Sequence, residues 1–237
     1  MSVSNSTILQ TNTNAKELSL GMKAALPICL GYIPIAMTFG LLAKNAGLSI
    51  FSGTLMSALV YAGASQFVAV NMLALNMGWV QIIITTFILN FRHFLMSTAL
   101  SQKLEKSKPS LLLVAAFGIT DESFAMATLQ DKNKISPFYL MGLNFSTYIS
   151  WVLGTSLGFI ISGSLPQVVQ SSMGIALYVM FIGLLIPSIK KSWTVGVIAL
   201  LGALFNLLLS NLLTSGWSLV FGAILGAFLA TLIFKEV

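Results

Sequence analysis

The sequence predicts an all-α, polytopic integral membrane bundle, and three observations predict it. Of 237 residues, 57% are hydrophobic and only 8% charged, against about 25% charged in a soluble domain. So few charges cannot cover a water-facing surface, which argues against a soluble enzyme. The apolar residues gather into runs that approach or exceed the roughly 20 residues a helix needs to cross a bilayer. These runs are continuous rather than alternating, which excludes a membrane barrel and leaves helices as the way to pair every backbone amide in lipid.

The elements follow in order. Met1 to Leu18 is polar, rich in Ser, Thr and Asn, and lacks the basic start of a signal peptide. It reads as a loose cytoplasmic tail (1–18), and residues 19–237 read as a single transmembrane domain. About eight hydrophobic segments follow, some open to being broken or re-entrant. Ala24–Ala43 carries Pro27, Gly31 and Pro34, and each proline removes a helical hydrogen bond. Phe51–Leu75 is interrupted by Gly63-Ala64-Ser65-Gln66. Trp79–Leu100 carries Thr86, Asn90, His93 and Ser97 at helical spacing, one polar stripe on one face. Ser110–Leu129 is interrupted by Gly118-Ile119-Thr120-Asp121-Glu122. Pro137–Ile161, Met173–Ile189, Trp193–Leu213 and Trp217–Phe234 complete the set. Gly154-xxx-Gly158 and Gly222-xxx-Gly226 match the small-residue pattern of close helix packing. Leu89-Asn90-Phe91 recurs as Leu143-Asn144-Phe145, too short a match to establish a repeat.

Orientation comes from the lysines, which favour the cytoplasmic side. Lys16 and Lys23, Lys132 and Lys134, Lys190 and Lys191, and Lys235 all fit a cytoplasmic N-terminus and eight crossings. Lys103, Lys106 and Lys108 do not, because eight plain crossings place them outside. If the second and fourth segments are re-entrant, every cluster faces inward. Segment length favours the plain reading, since each interrupted run is long enough to cross unaided.

The net charge of +6 is therefore a topology signal rather than a nucleic-acid footprint. One cysteine, Cys29, and one histidine, His93, leave no ligand set for a multi-Cys or multi-His metal site, and no cofactor is implied. No GxxxxGK[ST] pattern occurs. Three charges lie deep in apolar runs: Arg92, Asp121 and Glu122. Each costs about 2.5–3.5 kcal/mol to insert, so a partner or a polar cavity must compensate. Arg92 lies nine residues before Ser101 and Asp121 eleven after Ser110, about 14 and 17 Å down adjoining helices. Depth thus matches Arg92 to a carboxylate. Asp121 and Glu122 point about 100° apart, so one can pair with Arg92 while the other is left for a proton, an ammonium group or His93. A static structural pair and a functional one both remain open.

Tyr61-Ala62-Gly63-Ala64-Ser65-Gln66-Phe67, Thr85 to His93, Leu100 and Ile119-Thr120-Asp121-Glu122-Ser123-Phe124-Ala125, in this order, resemble the AzlC family of branched-chain amino-acid permeases. Phe39 to Ala43, Ala46 to Ser49 and Phe181 to Pro187 fit the same pattern, so the resemblance runs from about Pro27 to the C-terminus. It implies a secondary transporter in the bacterial inner membrane, not an enzyme, exporting leucine, isoleucine and valine, with methionine as a further candidate. It also implies a small membrane partner of AzlD type. A zwitterionic substrate needs a cation for its carboxylate and acceptors for its ammonium group. Gly63, Ser65, Gln66, Asn90 and Arg92 are the substrate-binding candidates, Arg92 for its planar bidentate fork. His93, Asp121 and Glu122 are candidates for proton coupling or the ion pair. The rival readings are a membrane-embedded enzyme built on His93, Ser97 and Asp121, and a passive channel.

Overall fold

The computed structural model describes residues 2–130, 134–164, 192–213 and 215–234, with isolated positions between 166 and 190. Most of the expected segment Met173–Ile189, and Lys132, Lys191 and Lys235, lie outside the described residues. The described residues form α1 (Ser2–Asn45), α2 (Ile50–Leu59), α3 (Gly63–Ala74), α4 (Trp79–Ser101), α5 (Pro109–Phe117), α6 (Asp121–Thr128), α7 (Pro137–Ile161), α8 (Trp193–Leu209) and α9 (Ser215–Ile233). They divide into two compact units, one of residues 1–77 with 90–174 and one of residues 78–89 with 175–237. Helix α1 is continuous back to Ser2, so the stretch expected to be a loose tail is helical, and the helix also runs through Pro27 and Pro34.

In the first unit α1 and α7 run parallel in close contact. A Cβ at Gly21 would meet Tyr139 and Leu143, and one at Gly40 would run into the Thr155 carbonyl oxygen. On α7, a Cβ at Gly154 would meet Ala36, and one at Gly158 would run into Met37. Gly154-xxx-Gly158 is thus a helix-packing surface, as its spacing predicts. The pairing defines two ends of the unit. Lys23 and Pro137 lie toward one. At the other, Lys44 Nζ donates to the Phe159 carbonyl at 3.2 Å.

Both interrupted segments are helical hairpins. The chain between α4 and α5 pairs with the residues just before α7: Glu105 N donates to Ile135 O at 3.0 Å and Ile135 N to Lys103 O at 2.8 Å. Lys134 Nζ donates to Gln102 O at 3.0 Å. From this end α5 runs inward for nine residues, about 13 Å, until Asn144 Nδ2 donates to the Ala115 carbonyl at 2.8 Å. After the break at 118–120, α6 begins, and the chain is back at its starting end by Lys134. Segment α5/α6 therefore enters and leaves on one side. Eight plain crossings would set Lys103 and Lys134 on opposite sides, and the structure corrects that expectation. Apolar length cannot distinguish a straight crossing of this size from two short arms.

Helix α2 enters from the opposite end, with Gly53 against the Phe159 ring and Ser57 Oγ 2.7 Å from Thr155 Oγ1. It stops where Tyr61 takes φ 43°, a left-handed conformation that costs energy for a bulky residue. The Tyr61 hydroxyl is held by Thr147 Oγ1 at 3.0 Å. Helix α3 then turns back. Gln66 Nε2 donates to Ser57 Oγ at 3.0 Å, and Phe67 packs edge-on to Phe39, with ring centroids 5.6 Å apart. The two tips meet: the rings of Tyr61 and Phe117 stack at 6.5 Å, and both pack on Tyr148.

Among the described residues, Thr13–Asn45 of α1, Trp79–Ser101 and Pro137–Ser164 are long and apolar enough to cross a membrane. In the second unit α8 and α9 pack tightly, with Gly226 against Gly202 and Gly222 against Asn206, the contact predicted for Gly222-xxx-Gly226.

Two outcomes follow from this packing. A cysteine at Ser107 in a Cys29→Ser background stays unlabelled by a membrane-impermeant thiol reagent on intact cells and reacts once the membrane is opened. One at Asn45 reacts from outside. Gly40→Ala and Gly158→Ala lower the melting temperature in detergent, since overpacking costs about 1–3 kcal/mol. Gly31→Ala, which has open space around it, does not.

Candidate functional site

The α5/α6 break is built by local sequence. Thr120 caps α6, its side chain accepting from Ser123 N while Ser123 Oγ accepts from Thr120 N. A capping box ends one helix and begins another at this point. Only glycine fits at position 118, because a Cβ there would run into Asn144. Asp121 and Glu122 occupy the first turn of α6, where the positive end of the helix favours carboxylates.

The two carboxylates part in different directions, as their spacing requires. Asp121 Oδ2 lies 2.7 Å from Arg92 Nη1 on α4, the pairing that the depth match predicts. Glu122 Oε2 instead accepts from the Tyr32 hydroxyl on α1 at 2.5 Å. Tyr32 has one hydroxyl proton and a second neighbour, Thr120 Oγ1, at 2.8 Å. If the tyrosine donates to Glu122, Thr120 must donate to the tyrosine. A directed chain then runs Thr120, Tyr32, Glu122. His93 Nδ1 lies 2.9 Å from the Ile119 carbonyl, and a carbonyl only accepts, so the Nδ1 proton is present.

Arg92 and Asp121 keep 33% and 30% of their side-chain surface uncovered by the protein. A charged pair facing acyl chains is expensive, and intramembrane ionisable groups usually line a pathway or a water-filled cavity. The arrangement offers a cation, two carboxylates and an imidazole at one helix break. It gives no nucleophile–base–orienter triad among the described residues, because His93 bonds a backbone carbonyl rather than Ser97 or Asp121.

The remaining predicted residues lie at the other break. Gly63 sits against the Trp151 ring. Ser65 donates to Ala62 O at 2.9 Å. Gln66 is fully buried, donating to Ser57 and accepting from Trp151 Nε1 at 3.1 Å. Their polar groups are thus engaged within the unit. Sequence reasoning missed Tyr32, Tyr61, Asn144, Thr147 and Trp151. Tyr32 had a signal: a tyrosine between two prolines deep in an apolar run is far from the interfacial belts where tyrosines gather. Thr120-Asp121-Glu122-Ser123, at the expected interruption, also carries a helix-start signature.

The profile of the AzlC protein family matches residues 27–165, which hold both breaks and all the charged residues of the site. Relatives agree with it. The inner membrane protein YgaZ of Escherichia coli is 36% identical over 203 residues, covering 81% of this chain and 82% of its own length. A membrane protein of Archaeoglobus fulgidus is 34% identical over 213 residues, covering 83% and 93%. The branched-chain amino acid transport protein AzlC of Bacillus subtilis is 25% identical over 136 residues, covering 56% and 53%. No solved structure matches the chain. With the family profile spanning more than half of its residues and close coverage by YgaZ, the chain belongs to the AzlC family of membrane transport proteins.

Proposed function

We propose that this protein is the large subunit of a secondary exporter of branched-chain amino acids in the bacterial inner membrane. It works with a small membrane subunit of AzlD type and is driven by the proton gradient. The observation that carries the reading is the Arg92–Asp121 pair, one third uncovered, at a helix break in a chain of a transport family. Such broken helices at membrane depth are where secondary transporters bind substrate. A relative named for branched-chain amino acid transport supports the substrate class. The Arg92 guanidinium has donors beyond the one given to Asp121, and these suit a substrate carboxylate. Glu122 and His93 are the proposed carriers of a coupled proton. Hydrogen-bonded to Arg92, Asp121 serves first to neutralise it.

The test is efflux of labelled leucine from proteoliposomes, with and without the small subunit and a pH gradient. Efflux requires both, and full leucine efflux by this chain alone counts against the two-subunit reading. Arg92→Ala abolishes efflux, and Arg92→Lys recovers less than about a tenth of it, because the fork geometry goes with the guanidinium. Normal transport by Arg92→Lys counts against carboxylate binding at Arg92. Asp121→Asn lowers the yield of folded protein by leaving Arg92 without its counter-charge. Glu122→Gln leaves folding intact, since an amide oxygen still accepts from Tyr32.

A further inference from the structure

In the first unit a cavity of about 490 Å³ lies between three helices, a size within the roughly 300–1,000 Å³ of small-molecule sites. Leu18 and Met22 of α1, Val114 and Phe117 of α5, and Phe145 and Tyr148 of α7 line it. The two residues from each helix are three or four apart, so each helix turns one face toward the cavity. Gly142, also in the wall, packs on the Leu18 carbonyl. Gly142 and Tyr148 lie five and eleven residues beyond Pro137, about 8 and 16 Å along α7. The cavity therefore runs inward from near the end that holds Lys103 and Lys134, cytoplasmic by the charge rule. It reaches Gly118 at the α5/α6 break. There it stops against aromatic rings: Phe117 and Tyr148 pack edge-on, with centroids 6.0 Å apart, and both rest on Tyr61. Tyr61, at the tip of the opposite hairpin, is only 3% exposed. Asn144 is part of the wall as well. Its Nδ2 is given to the Ala115 carbonyl, and its Oδ1 is buried without a hydrogen-bond partner. A buried acceptor calls for an N–H or O–H donor.

We infer that this cavity receives the aliphatic side chain of the amino acid from the cytoplasmic side and selects it, with the rings of Phe117 and Tyr148 against Tyr61 as its closed inner end. The inference rests on the transport reading above and adds to it the residues that choose among substrates. The walls favour an apolar occupant, since an aliphatic chain gains in proportion to the area it takes out of water. A charged side chain finds no counter-charge among the residues that line the cavity and is rejected. The head of the occupant is set by Asn144: a lipid tail suits the walls but brings no donor, whereas an amino acid brings an ammonium group. Position agrees, because Gly118 in the wall is joined to Asp121 of the Arg92 pair by at most about 11 Å of chain. Cavity and ion pair thus serve one break, the first for the side chain and the second for the charged end.

Two measurements on the purified protein, with whatever subunit co-purifies, test this. In the first, a diazirine analogue of leucine is bound to the native protein and irradiated. The label falls on α5 and the first half of α7, and excess leucine prevents it. Leucine-protected label confined to other helices overturns the inference. In the second, binding of leucine, isoleucine, valine and phenylalanine is compared across three variants. Val114→Trp and Met22→Trp fill the cavity from two different helices. Val114 and Met22 are 59% and 43% exposed, so the added bulk enters open space rather than a packed core, and the melting temperature stays at the native value. Both variants weaken leucine and isoleucine binding by about tenfold or more and valine binding less, the scale on which apolar pockets sense chain size. Phe145→Ala works in the other direction: it widens the cavity, and phenylalanine, a poor ligand of the native protein, competes with leucine. If all three variants bind the four amino acids as the native protein does, the inference is overturned, and a lipid tail or a partner helix covers this groove. If the native protein binds none of leucine, isoleucine and valine, it is the substrate reading itself that fails.

Discussion

A helix that breaks in the apolar part of a membrane leaves backbone carbonyls and amides unpaired, and lipid offers them nothing. Among the described residues this happens twice, and most of the unusual side-chain choices there answer that one constraint. At the α5/α6 break Asn144 donates to the Ala115 carbonyl and His93 lies against the Ile119 carbonyl. Thr120 and Ser123 satisfy each other's amides. At the α2/α3 break the strained Tyr61 is anchored by Thr147, and Gln66 is held between Ser57 and Trp151. Helix α7 supplies Asn144, Thr147, Trp151 and Thr155 to these bonds. Its glycine-lined contact with α1 therefore supports the whole unit: separating the two helices would deprive both breaks of their partners.

The constraint also explains where charge can reside. Two adjacent carboxylates in an apolar segment would ordinarily be costly. On the first turn of α6 they face the positive end of a helix dipole. The 100° between neighbouring residues sends Asp121 to α4 and Glu122 to α1. A short helix thereby ties two long ones together through groups whose bonding depends on protonation. The bond from Tyr32 to Glu122 requires an acceptor, and the bond from Arg92 to Asp121 requires a charge. Change at either carboxylate alters how α6 is held, and α6 is an eight-residue arm with few bonds of its own. The two hairpins enter from opposite ends and touch through Tyr61 and Phe117, which places both breaks at a common depth.

The sequence by itself determined the membrane class, the all-α architecture, the position of both interruptions and the partnership of Arg92 with a carboxylate. Composition, the continuity of apolar runs and helical rise are properties of the chain alone, and the cost of an unpaired charge in lipid holds whatever the fold. It also determined that Gly154-xxx-Gly158 and Gly222-xxx-Gly226 are contact surfaces, because small side chains have little other use there. Tertiary structure decided the rest. Whether an interrupted run of this length crosses or returns depends on what its ends meet, and the pairing of Leu104 with Ile135 joins residues far apart in sequence. The choice of Asp121 over Glu122 for Arg92 depends on which direction α1 and α4 lie from the first turn of α6. That Tyr32, Asn144 and Thr147 belong to the site followed only from long-range contact, since each is an ordinary residue until the break it serves is packed against it.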